Sequence, residues 1–189
     1  MSDLNRNQRV CPVERAGTLD NRIRRWLQNP RKILHPYLKE GLTVLELGCG
    51  PGFFSLDIAE MVGVSGRLIA VDLQAGMLAK VRAKIQGTAL EKRITLHQCT
   101  QDAIGVTERV DFVFAFYMVH EVPHQATLFQ ELSSILQPDG QVFIVEPAFH
   151  VSKMAFAATL QHAHTAGLRL VASPKMFLGR MALLKKNVP

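Results

Sequence analysis

Two stretches of this 189-residue chain carry side chains whose types and spacing could do chemistry. One is His120-Glu121-Val122-Pro123-His124. As a string of letters it matches the histidine–glutamate–x–x–histidine pattern of zinc hydrolases. There, two histidines one helical turn apart hold Zn²⁺ and the glutamate acts as general base on the bound water. Pro123 opposes that chemistry, because proline removes a backbone donor, costs about 3 kcal/mol inside a helix and turns the preceding residue away from helical angles. The spacing therefore predicts a helix that opens at Pro123. His120 and Glu121 are left in the loop before it, so the two histidines fall on different elements. Glu146, the only plausible distant third ligand, is expected at the end of a strand on the far side of that helix. No metal site is expected.

The second stretch is Val44-Leu45-Glu46-Leu47-Gly48-Cys49-Gly50-Pro51-Gly52-Phe53. An apolar strand runs into glycines at alternate positions and then into a helix. Lacking Cβ, such glycines permit a tight turn and let a ligand lie against the backbone. A dinucleotide fingerprint would want glycine or alanine where Phe53 stands, and the phosphate-binding loop is excluded because no Gly-Lys-Ser/Thr follows. Glu46, inside the strand, belongs to neither pattern, and an unpaired strand glutamate is costly to bury. Asp72 closes the next strand, where its carboxylate can accept both hydroxyls of a ribose. Hydrogen bonds to a charged group of that kind contribute roughly 1.5–3 kcal/mol. Leu73 and Met77 are placed to pack against a flat heterocycle, although Met77 also suits a core role.

The elements that must position these residues follow from hydrophobic periodicity. An amphipathic helix is expected from about Thr18 to Gln28, and a short helical piece from Arg31 to Leu38. Strands and helices then alternate. Strands are expected at Leu42–Leu47, Arg67–Val71, Ile94–Gln98, Val110–Phe116, Gln141–Glu146, Leu168–Ala172 and Phe177–Lys185. Helices are expected at Phe53–Val62, Ala75–Ile85, Pro123–Leu136 and Lys153–Ala166. Strands apolar on both faces, alternating with amphipathic helices, imply a doubly wound, mostly parallel, seven-stranded Rossmann-like α/β sheet. Residues 1–40 are expected to form an N-terminal helical extension that could serve as a lid, and residues 41–189 the ligand-binding domain.

Glu46-Leu47-Gly48-Cys49-Gly50-Pro51-Gly52, then Val71-Asp72-Leu73-Gln74-Ala75-Gly76-Met77-Leu78, then Ile135-Leu136-Gln137-Pro138-Asp139-Gly140, in that order, resemble the motifs of class I S-adenosylmethionine-dependent methyltransferases. The chain is similar to the small bacterial and archaeal members related to the ubiquinone/menaquinone-type enzymes, from about Leu42 to the C-terminus. The resemblance implies S-adenosyl-L-methionine as cofactor and S-adenosyl-L-homocysteine as product. It implies a binding set of Gly48, Cys49, Gly50, Gly52, Asp72, Leu73 and Met77. Glu46 would help hold the methionine ammonium, and Phe116 would offer a backbone carbonyl to the methionine end. Where the family places an acidic residue against the adenine amino group, this chain has Thr100. Either Thr100 or Gln101 serves with a neutral side chain, or Asp102 takes over.

The implied function is methyl transfer to a small organic acceptor, set in line with the sulfonium methyl. His120 and Glu121 are the candidate general bases, with His150 the weaker candidate. The Asn/Asp-Pro-Pro-Tyr/Phe motif of amino-methylating relatives is replaced by Ala115-Phe116-Tyr117-Met118, which argues against exocyclic amino acceptors. Cys49 and Cys99 near the cofactor raise the lesser idea of a thiol-based site. The alternative is an RNA- or protein-directed methyltransferase, or a non-catalytic binder of the same fold, using the basic N-terminus.

That alternative rests on a net charge of +6, much of it from Arg6, Arg9, Arg15, Arg22, Arg24, Arg25, Arg31 and Lys32. No aromatics are interleaved there for base stacking, and a solvated helix face explains the charge as well. The three cysteines lie far apart, fitting neither a disulfide scaffold nor a cysteine zinc site, and suggest a reducing cytoplasm. The longest apolar run, Val110–Val122, is broken by Asp111, His120 and Glu121. The first residues lack an apolar signal core, so neither a membrane span nor a secretory signal is expected.

Overall fold

The central strands, such as Thr43–Leu47 and Val110–Phe116, are apolar on both faces because helices cover both sides of the sheet. In the computed structural model, which describes residues 28–187, the chain begins with α1 (Pro30–Leu34). Asn29 caps this helix by accepting from the Lys32 N–H at 3.1 Å. There follow β1 (Thr43–Leu47), α2 (Ser55–Met61), β2 (Arg67–Asp72), α3 (Ala75–Ile85), β3 (Ile94–Gln98) and β4 (Val110–Phe116). A 3-10 turn (Val119–Glu121) leads to α4 (Gln125–Ile135), β5 (Leu136–Pro147), α5 (Lys153–Thr165), β6 (Leu168–Ala172), β7 (Lys175–Met176) and β8 (Gly179–Lys186).

The strand order is β3-β2-β1-β4-β5-β8-β6, with β7 paired to β8. β1 to β5 are mutually parallel, and β8 runs antiparallel to β5, β6 and β7. Chain order reverses direction on either side of β1, so the crevice beyond the carboxyl ends of β1 and β4 is the switch point where such sheets bind ligands. One face buries Val44, Leu68, Phe112, Phe114 and Phe143 under α1, α2 and α3. The other buries Leu45, Ile69, Val113, Val142 and Ile144 under α4 and α5.

The doubly wound, mostly parallel architecture is the expected one. Several bounds differ, each for a local reason. The seven main strands are joined by β7, because the expected final strand folds into a hairpin with Phe177 and Leu178 at its tip, Leu178 at φ 59°. β5 begins at Leu136 rather than Gln141, since Leu136 pairs with Val110 before Gln137–Gly140 bulge out and the ladder resumes at Gln141. The helix expected from Pro123 starts at Gln125, after His124 at φ −117° and ψ 67°. The short helix over 31–38 is one turn, yet Leu34 and Leu38 are buried in the core and the Tyr37 ring packs tilted at 4.6 Å from Phe143. The expected Thr18–Gln28 helix lies, apart from Gln28, outside the described residues.

Candidate active site

The turn between β1 and α2 is built by backbone angles that only glycine adopts without strain. Gly48, Gly50 and Gly52 have φ of +63°, +54° and +83°, and each has its own reason to lack a side chain. A Cβ on Gly48 would meet Met118 at 3.0 Å, and one on Gly52 would meet Val81 of α3 at 3.1 Å. A Cβ on Gly50 would meet nothing within 4 Å, because it would project into open space beside the strand ends. Lys84 of α3 donates to the Pro51 carbonyl at 2.7 Å and pins the outer side of the loop.

That open space is a cavity of about 940 Å³. Leu47, Gly48, Cys49 and Gly50 form its floor, and Asp72, Leu73, Gln74 and Met77 line one side. Cys99, Thr100, Gln101 and Asp102 also line it. Around Glu46 the wall is aromatic, made by Phe53, Phe54, Phe114, Phe116 and Tyr117. Met118, Glu121, Val122, Pro123 and His124 contribute from the segment after β4, and Gln28 from before α1. Tyr117 reverses the chain out of β4 at φ 58°, an angle rarely held by a side-chain-bearing residue outside functional sites. It is held there by its N–H donating to Val145 O at 2.7 Å, by stacking on Phe116, and by Gln28 donating to its hydroxyl.

Asp72 is buried with both carboxylate oxygens engaged. Oδ2 accepts from the Gly50 N–H and Oδ1 from the Gln74 N–H, each at 2.8 Å. Each oxygen keeps a second lone pair, which suits a pair of neighbouring hydroxyls. Burial raises its pKa, against the backbone donors that favour the charged form. Glu46 is 3% exposed and accepts from the Ser55 hydroxyl at 2.6 Å. Burial pushes its pKa up to about 8, Ser55 pulling down and Asp72 pushing up. A buried carboxyl with one hydroxyl partner, on a cavity wall, suits a cationic group.

At the far end the Thr100 hydroxyl is occupied by a local turn, donating to Ala103 O and accepting from Ala103 N–H. Gln101 and Asp102 keep their side chains at the surface beside it. These residues fit the implied cofactor: Glu46 for an ammonium, the open face of Gly50 for a close-lying chain, Asp72 for a ribose, and Leu73 and Met77 for an apolar ring face.

The structure thus brings the expected residues to one cavity, except Gly52, His120 and the weaker base candidate His150. Gly52 packs against Val81 instead. His120 does not line the cavity; its Nδ1 is hydrogen-bonded to Glu146 Oε2 and its ring lies edge-on to that of His150 at 5.0 Å. Glu146, expected on the far side of the following helix, is therefore beside His120. It is 1% exposed, and its Oε1 accepts from the Val119 N–H at 2.9 Å. The reason is register: β5 lies next to β4 and ends level with it, so Glu146 reaches the turn that follows β4. The signal that could have found it is the one that singled out Glu46, a glutamate inside an otherwise apolar strand.

Burial alone would lower the His120 pKa. The Glu146 hydrogen bond and the charges of Glu146 and Glu121 outweigh it, and the net shift is upward. Burial pushes Glu121 up to about 7, with His120 opposing and Glu146 and Asp72 adding to the rise. Burial also raises both cysteine thiols, Cys99 to about 11, so thiolate chemistry is disfavoured. His120 and His124 fall on different elements, the 3-10 turn and the residue capping α4. Among the described residues no group of three or more His, Cys, Asp or Glu is arranged to hold a metal, and no helix is long and apolar enough to cross a membrane.

Residues 44–140 match the family model described as a methyltransferase domain. The demethylmenaquinone methyltransferase of Lactococcus lactis is 32% identical over 120 residues, 61% of this chain and 47% of that protein. Its counterpart in Lactobacillus johnsonii is 34% identical over 110 residues, 58% of this chain and 45% of that protein. The matches span about half the length of these curated relatives. Among solved structures, a SAM-dependent methyltransferase from Aquifex aeolicus aligns with a TM-score of 0.81 at 25% identity, covering 92% of this chain and 99% of that one. A TehB-like SAM-dependent methyltransferase from Corynebacterium glutamicum shares the fold, with a TM-score of 0.71 at 14% identity over 93% of this chain and all of that one.

Proposed function

The chain belongs to the methyltransferase-domain family and has the class I S-adenosylmethionine-dependent methyltransferase fold, and on that premise we propose that it transfers a methyl group to a small organic acceptor held against the aromatic wall of the cavity. The observation that carries this reading is the juxtaposition of Asp72, the open Gly50 backbone and the buried Glu46 along one cavity that Phe54, Phe116 and Tyr117 also line. When bound, S-adenosylmethionine supplies an electrophilic methyl carbon on a sulfonium.

The chain's own residues then have four tasks. Asp72 takes the ribose hydroxyls and Glu46 the ammonium, which fixes both ends of the donor. Leu73 and Met77 flank the adenine, with Gln101 or Asp102 at its polar edge. The aromatic wall excludes water and orients the acceptor, and alignment of this kind can supply on the order of 7–11 kcal/mol of the barrier. Glu121, on the wall with its pKa near neutrality, accepts the proton of a protonated acceptor, with His120 behind it as the second base. The apolar character of this end supports a carbon, oxygen or sulfur nucleophile. The relatives' names make a reduced naphthoquinone the first acceptor to assay. The basic residues from Arg6 to Arg25, on which an RNA-directed reading depends, lie outside the described residues.

The test is calorimetry with S-adenosylhomocysteine on the wild type and on Asp72→Ala. Tight binding that drops in the variant supports the reading. No binding, or equal affinity in both, rejects it. Nucleic-acid affinity that falls steeply with added salt would favour the RNA-directed alternative.

A further inference from the structure

We infer that Glu146 is a positioning residue of the acceptor side: it holds His120 with the ring proton on Nδ1 and anchors the 3-10 turn that sets Glu121 against the cavity. The inference rests on the methyl-transfer reading above for its purpose, and on geometry alone for its content. Glu46 and Glu146 are the buried glutamates of the described sheet, and they serve opposite faces. Glu46 shares its face with Val44, and Glu146 with Val142 and Ile144. Glu46 faces the cavity, whereas Glu146 does not line it and spends both oxygens on consecutive residues of one turn.

A carboxylate accepts and does not donate, so the shared proton belongs to the imidazole Nδ1 and Nε2 is left as the basic nitrogen. A neutral amide could hold the Val119 N–H equally well. Burying a charged group there is costly unless it is paired, and the pairing is with a histidine one residue from Glu121. The other titratable or charged groups around this imidazole are Glu121 on the same turn and His150 after β5. Arg180 of β8 stands opposite Glu146 in the ladder, but its Nε donates to Val151 O. Asp72 acts on Glu121 from across the cavity. Gln125 of α4 completes the frame by donating to Val119 O at 3.0 Å while accepting from the Thr159 hydroxyl.

The experiment is ¹⁵N-detected NMR titration of the histidines in the full chain, with His120 assigned from the signal lost in His120→Gln. In the wild type the neutral His120 ring is expected as the Nδ1–H tautomer, titrating above an ordinary histidine. In Glu146→Gln its proton affinity is expected to fall about tenfold, while S-adenosylhomocysteine affinity stays unchanged because Glu146 does not line the cavity. An Nε2–H tautomer in the wild type, or an unmoved titration in Glu146→Gln, overturns the inference. If Glu146→Gln fails to fold, the wild-type tautomer decides alone. Absence of S-adenosylhomocysteine binding in the wild type would reject the methyl-transfer reading and leave the tautomer result standing.

Discussion

At the scale of single residues, the cavity holds buried carboxyls whose titration is expected to follow what they bind. The folded chain holds the Glu46 proton more tightly than an unfolded chain does, since burial lifts it from 4.5 to about 8. Its contribution to stability is therefore full below the ordinary carboxyl range and is lost as pH rises toward about 8. Glu46→Gln should flatten that decline and melt a few degrees higher than the wild type on the alkaline side, as followed by thermal denaturation across pH. The same proton must leave when an ammonium docks. S-adenosylhomocysteine affinity is accordingly expected to rise with pH up to about 8, with proton release visible in calorimetry in buffers of different ionisation enthalpy. Both signals should vanish in Glu46→Gln. Asp72→Ala should cost ten- to hundredfold in affinity, the loss of hydrogen bonds to a charged acceptor at about 1.5–3 kcal/mol.

At the scale of elements, the glycine loop separates two jobs that look identical in the sequence. Gly50 and Gly52 both sit at positive φ, but one faces the cavity and the other faces Val81 on α3. Gly52→Ala is expected to lose about 1–3 kcal/mol of stability, from strain and from the 3.1 Å approach to Val81. Its folded fraction should still bind S-adenosylhomocysteine. Gly50→Ala carries the strain without the clash, and its methyl group occupies the face along which a ligand would lie. It should lose the larger share in affinity. Urea denaturation and calorimetry on the pair separate the two effects, and equal binding loss in both variants would refute the distinction. The turn after β4 shows the same dependence on neighbours, since Glu146, Gln125 and Thr159 come from three other elements to hold it.

At the scale of the molecule, the two apolar faces of the sheet are closed independently, and α1 is part of one of them. Leu34 is fully buried there, in the same cluster as Phe143, on which Tyr37 packs. Leu34→Ala should destabilise the whole domain by about 2–5 kcal/mol, read as a shift of the urea midpoint, although the residue does not line the cavity. Much of this architecture was legible beforehand. Apolar strands such as Val110–Phe116 and the stripe Met77, Leu78, Val81 and Ile85 announce a covered parallel sheet, because burial on both faces leaves no other composition. The glycine loop, Glu46 and Asp72 were legible because their chemistry is local, a strand end and the turn beside it. The bounds at Pro123, Leu136 and Phe177 were less so, because bulges and hairpin tips answer to pairing partners distant in sequence. The aromatic wall around Glu46 and the bond between His120 and Glu146 were hidden for the same reason. The sequence by itself determined which strands are buried and which turn can cradle a ligand, since both follow from side-chain polarity and backbone freedom within a few residues. Only the tertiary structure decided which groups meet above the sheet, since the register of β5 beside β4 places Glu146 against a histidine 26 residues away.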